Sequence, residues 1–208
     1  PLYDPSQLQI IGSTSVMPLA DKLADTYMES HPQTLIQVQG GGTSVGISSA
    51  GEGIVEMGSA SRNVMAGEQQ KYPTLKRFTI AYDGIAIITH HDVNLSSLTL
   101  EQIRAIFSGE ITNYSQVGGK DAEIVLVSRE EGSGTRGAFV ELMGIEEKGS
   151  DGTKIDHTTA EAVIASKTDV VMTNVANDEN AIGYISLGSL NDTIKAVKVD
   201  GVEATTDN

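Results

Sequence analysis

The chain contains no cysteine and no tryptophan, and aromatic residues make up only 4% of its 208 positions. Without cysteine, disulfide bridges and thiolate metal sites are excluded. No apolar run approaches the ~20 residues that a membrane-spanning helix requires. Because aromatic side chains are scarce, we expect a core built from isoleucine, valine, leucine and alanine.

Positive charge is also in short supply. The chain has 14 lysines and arginines against 28 aspartates and glutamates, a formal net charge of −14. This balance argues against nucleic acid as a partner and against adhesion to anionic membranes, since both require clustered cations. It does not exclude a small anion, because backbone N–H groups, hydroxyls and one arginine can bind an anion inside an acidic protein.

The remaining composition is that of a soluble globular protein. Hydrophobic residues make up 39% and charged residues 20% of the chain, and there are 22 glycines. A pattern of strand, Gly/Ser/Thr loop and helix is repeated along the N-terminal part, and it predicts an α/β sheet with ligand loops at the carboxyl ends of its strands. The strands are predicted at 9–11, 34–38 and 54–57, and the helices at 16–27 and 45–50.

Downstream, residues 78–89 form a long apolar stretch that is more than one ordinary strand and can cross between two domains. Thr99 and Gln102 have the spacing of a capping box and open another helix. The other predicted elements are a strand at 123–127, a helix from 158 to 164, and strands at 182–185 and 194–199.

The most informative segment is 128–136, which combines the cation Arg129 with two glycines and three hydroxyls. Apolar residues at helical spacing follow it, so a helix is predicted to begin near Ser133. The N–H groups at a helix start carry partial positive charge and attract an anion, and an arginine can form two parallel hydrogen bonds to an oxyanion. On this segment alone, an ordinary loop and N-cap with Arg129 in a surface ion pair explains the pattern equally well.

Three separate loops share this chemistry. Residues 12–15, 40–44 and 132–135 all combine glycine with serine or threonine, and each precedes a predicted helix. Any one of these hydroxyls alone is typical of a cap or a turn. If the loops converge, they form a cage of hydrogen-bond donors for a tetrahedral oxyanion.

Other chemistries lack their motifs. No G-x-G-x-x-G follows a strand, and the chain contains neither a P-loop motif nor a G-x-S-x-G elbow. His90 and His91 are adjacent and point in different directions on a strand, which makes a poor metal site. Glu130 and Glu131 are neighbours rather than a facing pair. We therefore predict no catalytic residue, no metal site and no cofactor.

Taken together, the loops resemble the phosphate-binding proteins that serve ABC-type phosphate importers. The resemblance runs through nearly the whole chain in the same order. Its most specific part is Arg129 with the sequence Gly-Ser-Gly-Thr at 132–135. The other matching segments are 12–19, 39–44, 57–62, 78–84, 98–114 and 181–185.

This resemblance implies the two-lobed, hinged periplasmic-binding-protein fold, with the ligand in the interdomain cleft. Residues 1–80 plus 182–208 would form lobe 1, and residues 81–181 would form lobe 2. The two crossings near Ala81 and Ile182 would form the hinge.

The family's phosphate contacts match nine positions of this sequence: Thr14, Ser15, Thr43, Ser44, Ser61, Arg129, Ser133, Gly134 and Thr135. Ser61 departs from the family, because many members have an aspartate here that accepts the proton of phosphate. Glu131 is a candidate for orienting Arg129. Arg62 is expected in an ion pair, although a role as a second cation of the site stays open.

The implied function is that of a solute-binding protein that captures inorganic phosphate for an ABC importer. The implied partners are phosphate and a membrane permease, with no nucleic acid, and we expect a monomer. We expect a periplasmic or extracellular location, and anchoring through a removed N-terminal segment stays open. The alternatives are a sensor or scavenger domain, or a binder of sulfate, molybdate or tungstate.

Overall fold

The computed structural model describes residues 6–149 and 154–207. The chain divides into two compact units. Unit 1 contains Pro1–Ala81 and Glu131–Gly134, and unit 2 contains Tyr82–Glu130 and Thr135–Asn208. The glycine-rich segment, residues 128–136, therefore begins in unit 2, passes through unit 1 and returns to unit 2.

Unit 1 is built on a parallel three-stranded sheet with the strand order β2-β1-β3. Gly12, at the end of the first strand, pairs with Gly40 and Ser59, which end the other two strands. The loops that follow the three strands therefore start at the same edge of the sheet. The elements of unit 1 are β1 (Gln7–Gly12), α1 (Met17–Ser30), β2 (Leu35–Gly40), α2 (Thr43–Gly51), β3 (Met57–Ser59) and α3 (Ala66–Lys71).

Helix α1 forms where it is predicted, although it continues to Ser30, but it buries an unexpected face. Ala20 and Ala24 are buried, whereas Leu19, Leu23 and Tyr27, which define the apolar spacing, are 40%, 52% and 46% exposed. Two alanines four residues apart lie on one side of a helix and allow its backbone to approach a sheet closely. The periodicity thus predicts the helix correctly but not the side that it buries.

Unit 2 contains a mixed six-stranded sheet with the strand order β5-β11-β4-β10-β6-β9, and an antiparallel hairpin of β7 and β8. Its elements are β4 (Ile85–Thr89), β5 (Ser97–Leu98), α4 (Leu100–Phe107), a 3₁₀ turn (Tyr114–Val117), β6 (Val125–Arg129), α5 (Gly134–Met143), β7 (Glu146–Lys148), β8 (Lys154–Asp156), β9 (Val163–Ala165), α6 (Thr168–Asn177), β10 (Ala181–Ser186), a second 3₁₀ turn (Leu187–Ser189) and β11 (Lys195–Val199). The first residue of α5 belongs to unit 1.

Both hydrophobic clusters found among the described residues lie in unit 2. They are largely aliphatic, as the composition predicts. The exception is an aromatic group in which Phe139 stacks on Tyr184 with ring centroids 3.9 Å apart, and Phe107 meets Phe139 edge-on at 4.7 Å. Phe139 belongs to α5 and Tyr184 to β10, so the stacked rings join these two elements.

Three predicted elements differ from the structure. The third strand begins only at Met57, and the apolar stretch 78–89 forms a strand only over Ile85–Thr89. The helix predicted from 158 is wrong, because Val163–Ala165 forms β9 and the helix starts at Thr168. Val163 pairs with Val127 of β6, and its β-branched side chain suits a strand better than a helix.

The C-terminal segment also differs from the expected division of the chain. The resemblance implies that residues 182–208 join residues 1–80, whereas β10 pairs with β4 and β6, and β11 pairs with β4. All six residues of β10 are buried, which is typical of a central strand. This segment accordingly belongs to unit 2.

The α/β fold class is confirmed, with parallel strands joined through helices in unit 1 and a mixed sheet in unit 2. None of the helices in the described part of the chain combines the length and the hydropathy that a bilayer crossing requires.

Candidate functional site

A cluster of hydroxyls lies where the loops of unit 1 leave the sheet. The Ser13 hydroxyl donates to Ser61 Oγ at 2.9 Å, and Thr43 Oγ1 lies 3.3 Å from the same Ser61 oxygen. The backbone N–H of Ser61 donates to Thr43 Oγ1 at 3.1 Å. Ser13 and Thr43 are buried. The loops that follow β1, β2 and β3 therefore meet through their side chains.

Glycine allows the first two loops to approach each other. Gly12 has a φ of 146° and a Cβ at this position would overlap the Ser59 carbonyl, so a larger residue is excluded. Its own carbonyl accepts hydrogen bonds from the N–H groups of Gly41 and Gly42, both at 2.9 Å. Gly42, with a φ of 87°, then turns the chain into α2.

The start of α2 provides backbone N–H groups that its N-cap residue does not cap. Gly42 is its N-cap and supplies no side-chain cap, and the first turn contains no acidic residue. The N–H groups of a first helical turn lack intrahelical partners and carry partial positive charge. One of them, that of Ser44, donates to the Gly132 carbonyl at 3.2 Å. This bond brings the glycine-rich segment to the helix start.

The glycine-rich segment packs tightly against the cluster. A Cβ on Gly134 would overlap Thr43 Oγ1 and lie 2.5 Å from Ser61 Oγ. Gly134 is the first residue of α5, so the helix begins immediately after Ser133, as the sequence predicts. Ser133 is itself buried.

Thr14 and Ser15 complete the predicted residues of unit 1. Thr14 is buried and its Cγ2 lies 2.9 Å from the position of a Cβ on Gly40, so it contacts the start of the second loop. Ser15 is half-buried in the same loop. Unit 1 therefore contains seven of the nine predicted positions: Thr14, Ser15, Thr43, Ser44, Ser61, Ser133 and Gly134.

Arg129 and Thr135, the other two predicted positions, belong to unit 2 and are buried there. Arg129 ends β6, and its guanidinium forms two bonds to the Glu130 carboxylate, from Nε at 2.8 Å and from Nη2 at 2.9 Å. Its Nη1 donates to Thr168 Oγ1 at 3.4 Å. The guanidinium is thus held in a fixed plane by a carboxylate on one side and a hydroxyl on another.

The carboxylate that orients Arg129 is Glu130, not the expected Glu131. Neighbouring side chains alternate between the faces of a strand, which favours Glu131 in a simple extrapolation. However, β6 ends at Arg129, so this alternation no longer applies to Glu130.

Buried groups fix the backbone of Arg129 as well. The Arg129 N–H donates to Tyr184 Oη at 3.4 Å, and Tyr184 Oη lies 3.0 Å from Ser128 Oγ. Arg136 Nη1 donates to the Arg129 carbonyl at 2.8 Å. Burial raises the pKa of Tyr184, so the phenol stays protonated and can donate as well as accept.

Arg62 forms an ion pair, as the sequence predicts. Its guanidinium contacts both Glu68 oxygens, at 2.7 and 2.8 Å, and donates to Ser44 Oγ at 3.0 Å. Sequence reasoning missed Glu68, for which no spacing rule gives a signal. It also missed Ser13 as a member of the site, although Ser13 lies in the same loop as Thr14 and Ser15.

Glu68 gives a testable dependence of stability on pH. The hydrogen bond from Arg62 lowers the pKa of Glu68 below its ordinary value of 4.5, against the opposing effect of burial. A carboxyl group whose pKa is lowered by folding stabilises the folded state at pH values above its ordinary pKa. This stabilisation is lost as the pH falls from the ordinary pKa through the lowered one. We expect the free energy of unfolding of the wild type to fall more steeply below about pH 4.5 than that of Glu68→Gln.

Chemical denaturation between about pH 7 and about pH 3 measures this difference. Glu29→Gln is the matched control, because Glu29 is exposed. Parallel pH curves for the wild type and Glu68→Gln would show that the Arg62 bond does not favour the charged form.

The bonds described among Ser13, Thr43 and Ser61 join hydroxyl and backbone groups only. This part of the site therefore presents donors and acceptors without a formal charge. Such an arrangement, together with a helix start, suits the binding of an anion rather than proton transfer or nucleophilic attack.

Known proteins with similar sequences and structures carry phosphate in their names. The phosphate-binding protein PstS of Bacillus subtilis (strain 168) is 32% identical over 204 residues, which cover 97% of this chain and 64% of that protein. This chain therefore spans less than two thirds of that relative.

Two solved structures are similar over 97% of this chain. The first, from Clostridium perfringens, is a substrate-binding protein assigned to a phosphate ABC transporter, with bound phosphate; it has a TM-score of 0.89, 44% identity and 79% of its own chain covered. The second is an ABC-type phosphate transport receptor from Vibrio cholerae, with a TM-score of 0.74, 37% identity and 80% of its chain covered.

The family described as PBP superfamily domain matches residues 4–207. This match extends over both units and includes every residue of the candidate site. The chain therefore belongs to the family that is described as PBP superfamily domain.

Proposed function

We propose that this protein binds inorganic phosphate and delivers it to an ABC-type importer. The observation that carries the proposal is the meeting of the loops after β1, β2 and β3 with the starts of α2 and α5 in unit 1, linked by Ser13, Thr43, Ser61 and Gly134. The similarity to the Clostridium perfringens protein with bound phosphate supports the choice of ligand.

The proposed ligands are the seven predicted residues of unit 1 and, from unit 2, Arg129 and Thr135. Phosphate has four oxygens that accept hydrogen bonds, and hydroxyls, helix N–H groups and a guanidinium all donate. Arg129 supplies the formal charge, and Glu130 keeps its plane fixed before the ligand arrives. Preorganised donors lose little entropy on binding.

In this role the protein is a monomeric binding protein rather than an enzyme, and its partner is a membrane permease. Its location is periplasmic or extracellular. The names of the Bacillus subtilis and Vibrio cholerae proteins support transport.

Titration calorimetry with phosphate, sulfate and molybdate tests the ligand, and Ser61→Asp tests its selection. We expect phosphate to bind the wild type and sulfate to compete measurably, because the cluster around Ser61 presents hydroxyls without a carboxylate. In Ser61→Asp, a carboxylate faces the anion. Sulfate carries no proton to donate to it, so its affinity should fall at least about tenfold relative to that of phosphate.

Ser61→Asn is the matched control, since it changes the shape in the same way without adding charge. A wild type that binds molybdate or sulfate but not phosphate would contradict the proposed function. An unchanged ratio of sulfate to phosphate affinity in Ser61→Asp would show instead that position 61 does not face the anion.

A further inference from the structure

Arg62 links two separate parts of unit 1. It follows Ser61 in the loop after β3, and its side chain is only 13% exposed. One edge of the guanidinium meets Glu68, in α3, and Nη2 also meets Ser44, in the first turn of α2. The arginine thus ties the short helix α3 to the helix start that lies in the candidate site.

The chemistry of this bond sets the direction of the Ser44 hydroxyl. A guanidinium has only donors, so in the 3.0 Å contact Arg62 donates and Ser44 Oγ accepts. The proton of the Ser44 hydroxyl must then point to a different acceptor. A hydroxyl that could either donate or accept becomes one that presents its proton.

Ser44 lies where such a proton is useful. Its N–H donates to the Gly132 carbonyl at 3.2 Å, and its Oγ lies 3.4 Å from the position of a Cβ on Gly132. The preceding residue, Thr43, belongs to the hydroxyl cluster. The Ser44 hydroxyl is therefore next to both the helix start and the glycine-rich segment.

Arg62 itself is poorly placed to be a direct ligand. Its Nη1 donates to Glu68 and to the Asn63 carbonyl, and its Nη2 donates to Glu68 and to Ser44. These bonds use all four protons of the two terminal nitrogens. An anion could contact these nitrogens only by displacing Glu68, Ser44 or the Asn63 carbonyl.

We propose that Arg62 is a positioning residue of the anion site, which fixes the Ser44 hydroxyl as a donor to bound phosphate while Glu68 holds the guanidinium in place. This inference rests on the proposed function. Glu68 is suited to its part, because it also accepts the Met65 N–H at 2.8 Å and so caps α3. The capped helix provides a fixed base for the arginine.

A double-mutant cycle on phosphate affinity tests the proposal. If Arg62 acts through Ser44, Arg62→Met and Ser44→Ala should each weaken phosphate binding about three- to tenfold, the effect of losing one hydrogen bond. The double variant should then bind no more weakly than Ser44→Ala alone, since the two changes remove the same interaction. Multiplied effects in the double variant would overturn the proposal, as would unchanged affinity in Arg62→Met.

Arg62→Lys separates positioning from folding. A lysine keeps the ion pair with Glu68 but cannot make the forked contact that also reaches Ser44. We expect this variant to retain the unfolding midpoint of the wild type while losing affinity for phosphate. If stability and affinity fall together in Arg62→Lys, the role of Arg62 is only structural. A wild type that binds no phosphate would refute the proposed function itself, whereas wild-type binding with an unaffected Arg62→Met would refute this inference alone.

Discussion

Replacing Arg129 with alanine should weaken phosphate binding at least about tenfold, because each hydrogen bond to a charged group contributes about 1.5–3 kcal/mol. Arg129 is 2% exposed, and its guanidinium is bonded to Glu130 and Thr168, so it is already oriented before an anion binds. Its removal also leaves the Glu130 carboxylate without its partner, which adds an uncompensated negative charge to the surroundings. Titration calorimetry with phosphate measures the loss.

The control for this variant is Arg104→Ala, which removes an exposed arginine of unit 2. It changes the net charge equally, so any general electrostatic effect on anion binding should appear in both variants. Arg129→Lys should recover part of the affinity, since an ammonium keeps the charge but not the planar fork. Equal phosphate affinity in Arg129→Ala and Arg104→Ala would remove Arg129 from the site.

Sequence reasoning predicts the location of the site better than its internal contacts. The loops after β1 and β2 and the helix start after Ser133 follow from glycine and hydroxyl residues that end each strand. Parallel pairing then brings Gly12 beside Gly40 and Ser59, because carboxyl ends of parallel strands share an edge. The local pattern thus suffices to predict which loops meet.

The partners of the two arginines depend on geometry that the sequence does not contain. The pairing of Arg129 with Glu130 depends on where β6 ends, and a boundary shifted by one residue would favour Glu131. The pairing of Arg62 with Glu68 depends on a six-residue helix, α3, whose amphipathic pattern is too short to detect. Such contacts appear only when the backbone is known.

Strand pairing also overrides the local sequence pattern in the sheet of unit 2. Residues 158–164 begin like a helix, but Val163 and Ile164 complete the sheet beside Val127 and Ser128 of β6. The free edge of β6 can accept another strand, and the β-branched residues Val163 and Ile164 favour a strand, so this segment pairs with β6 instead of forming a helix. The same sheet takes up β10, which explains why the C-terminal segment lies in unit 2.

Gly134→Ala should have the second large effect on phosphate binding. The φ of Gly134 is not positive, so alanine suits its helical backbone, and in an open helix it would stabilise by up to about 1 kcal/mol. Here, however, the added Cβ overlaps Thr43 Oγ1 and lies 2.5 Å from Ser61 Oγ. Overpacking of this kind costs about 1–3 kcal/mol, so the clash should outweigh the gain in helix propensity.

The neighbours of that Cβ cannot move without cost to the site. Thr43 Oγ1 is bonded to the Ser61 N–H at 3.1 Å, so displacing it breaks the cluster that would receive the anion. We therefore expect at least about tenfold weaker phosphate binding in Gly134→Ala, with a lower unfolding midpoint. Gly67→Ala is the matched control, since Gly67 lies in α3 with open space around its Cβ position, and it should leave affinity unchanged. Wild-type affinity in Gly134→Ala would mean that the cluster of Thr43 and Ser61 can open without loss, and that the anion is held elsewhere.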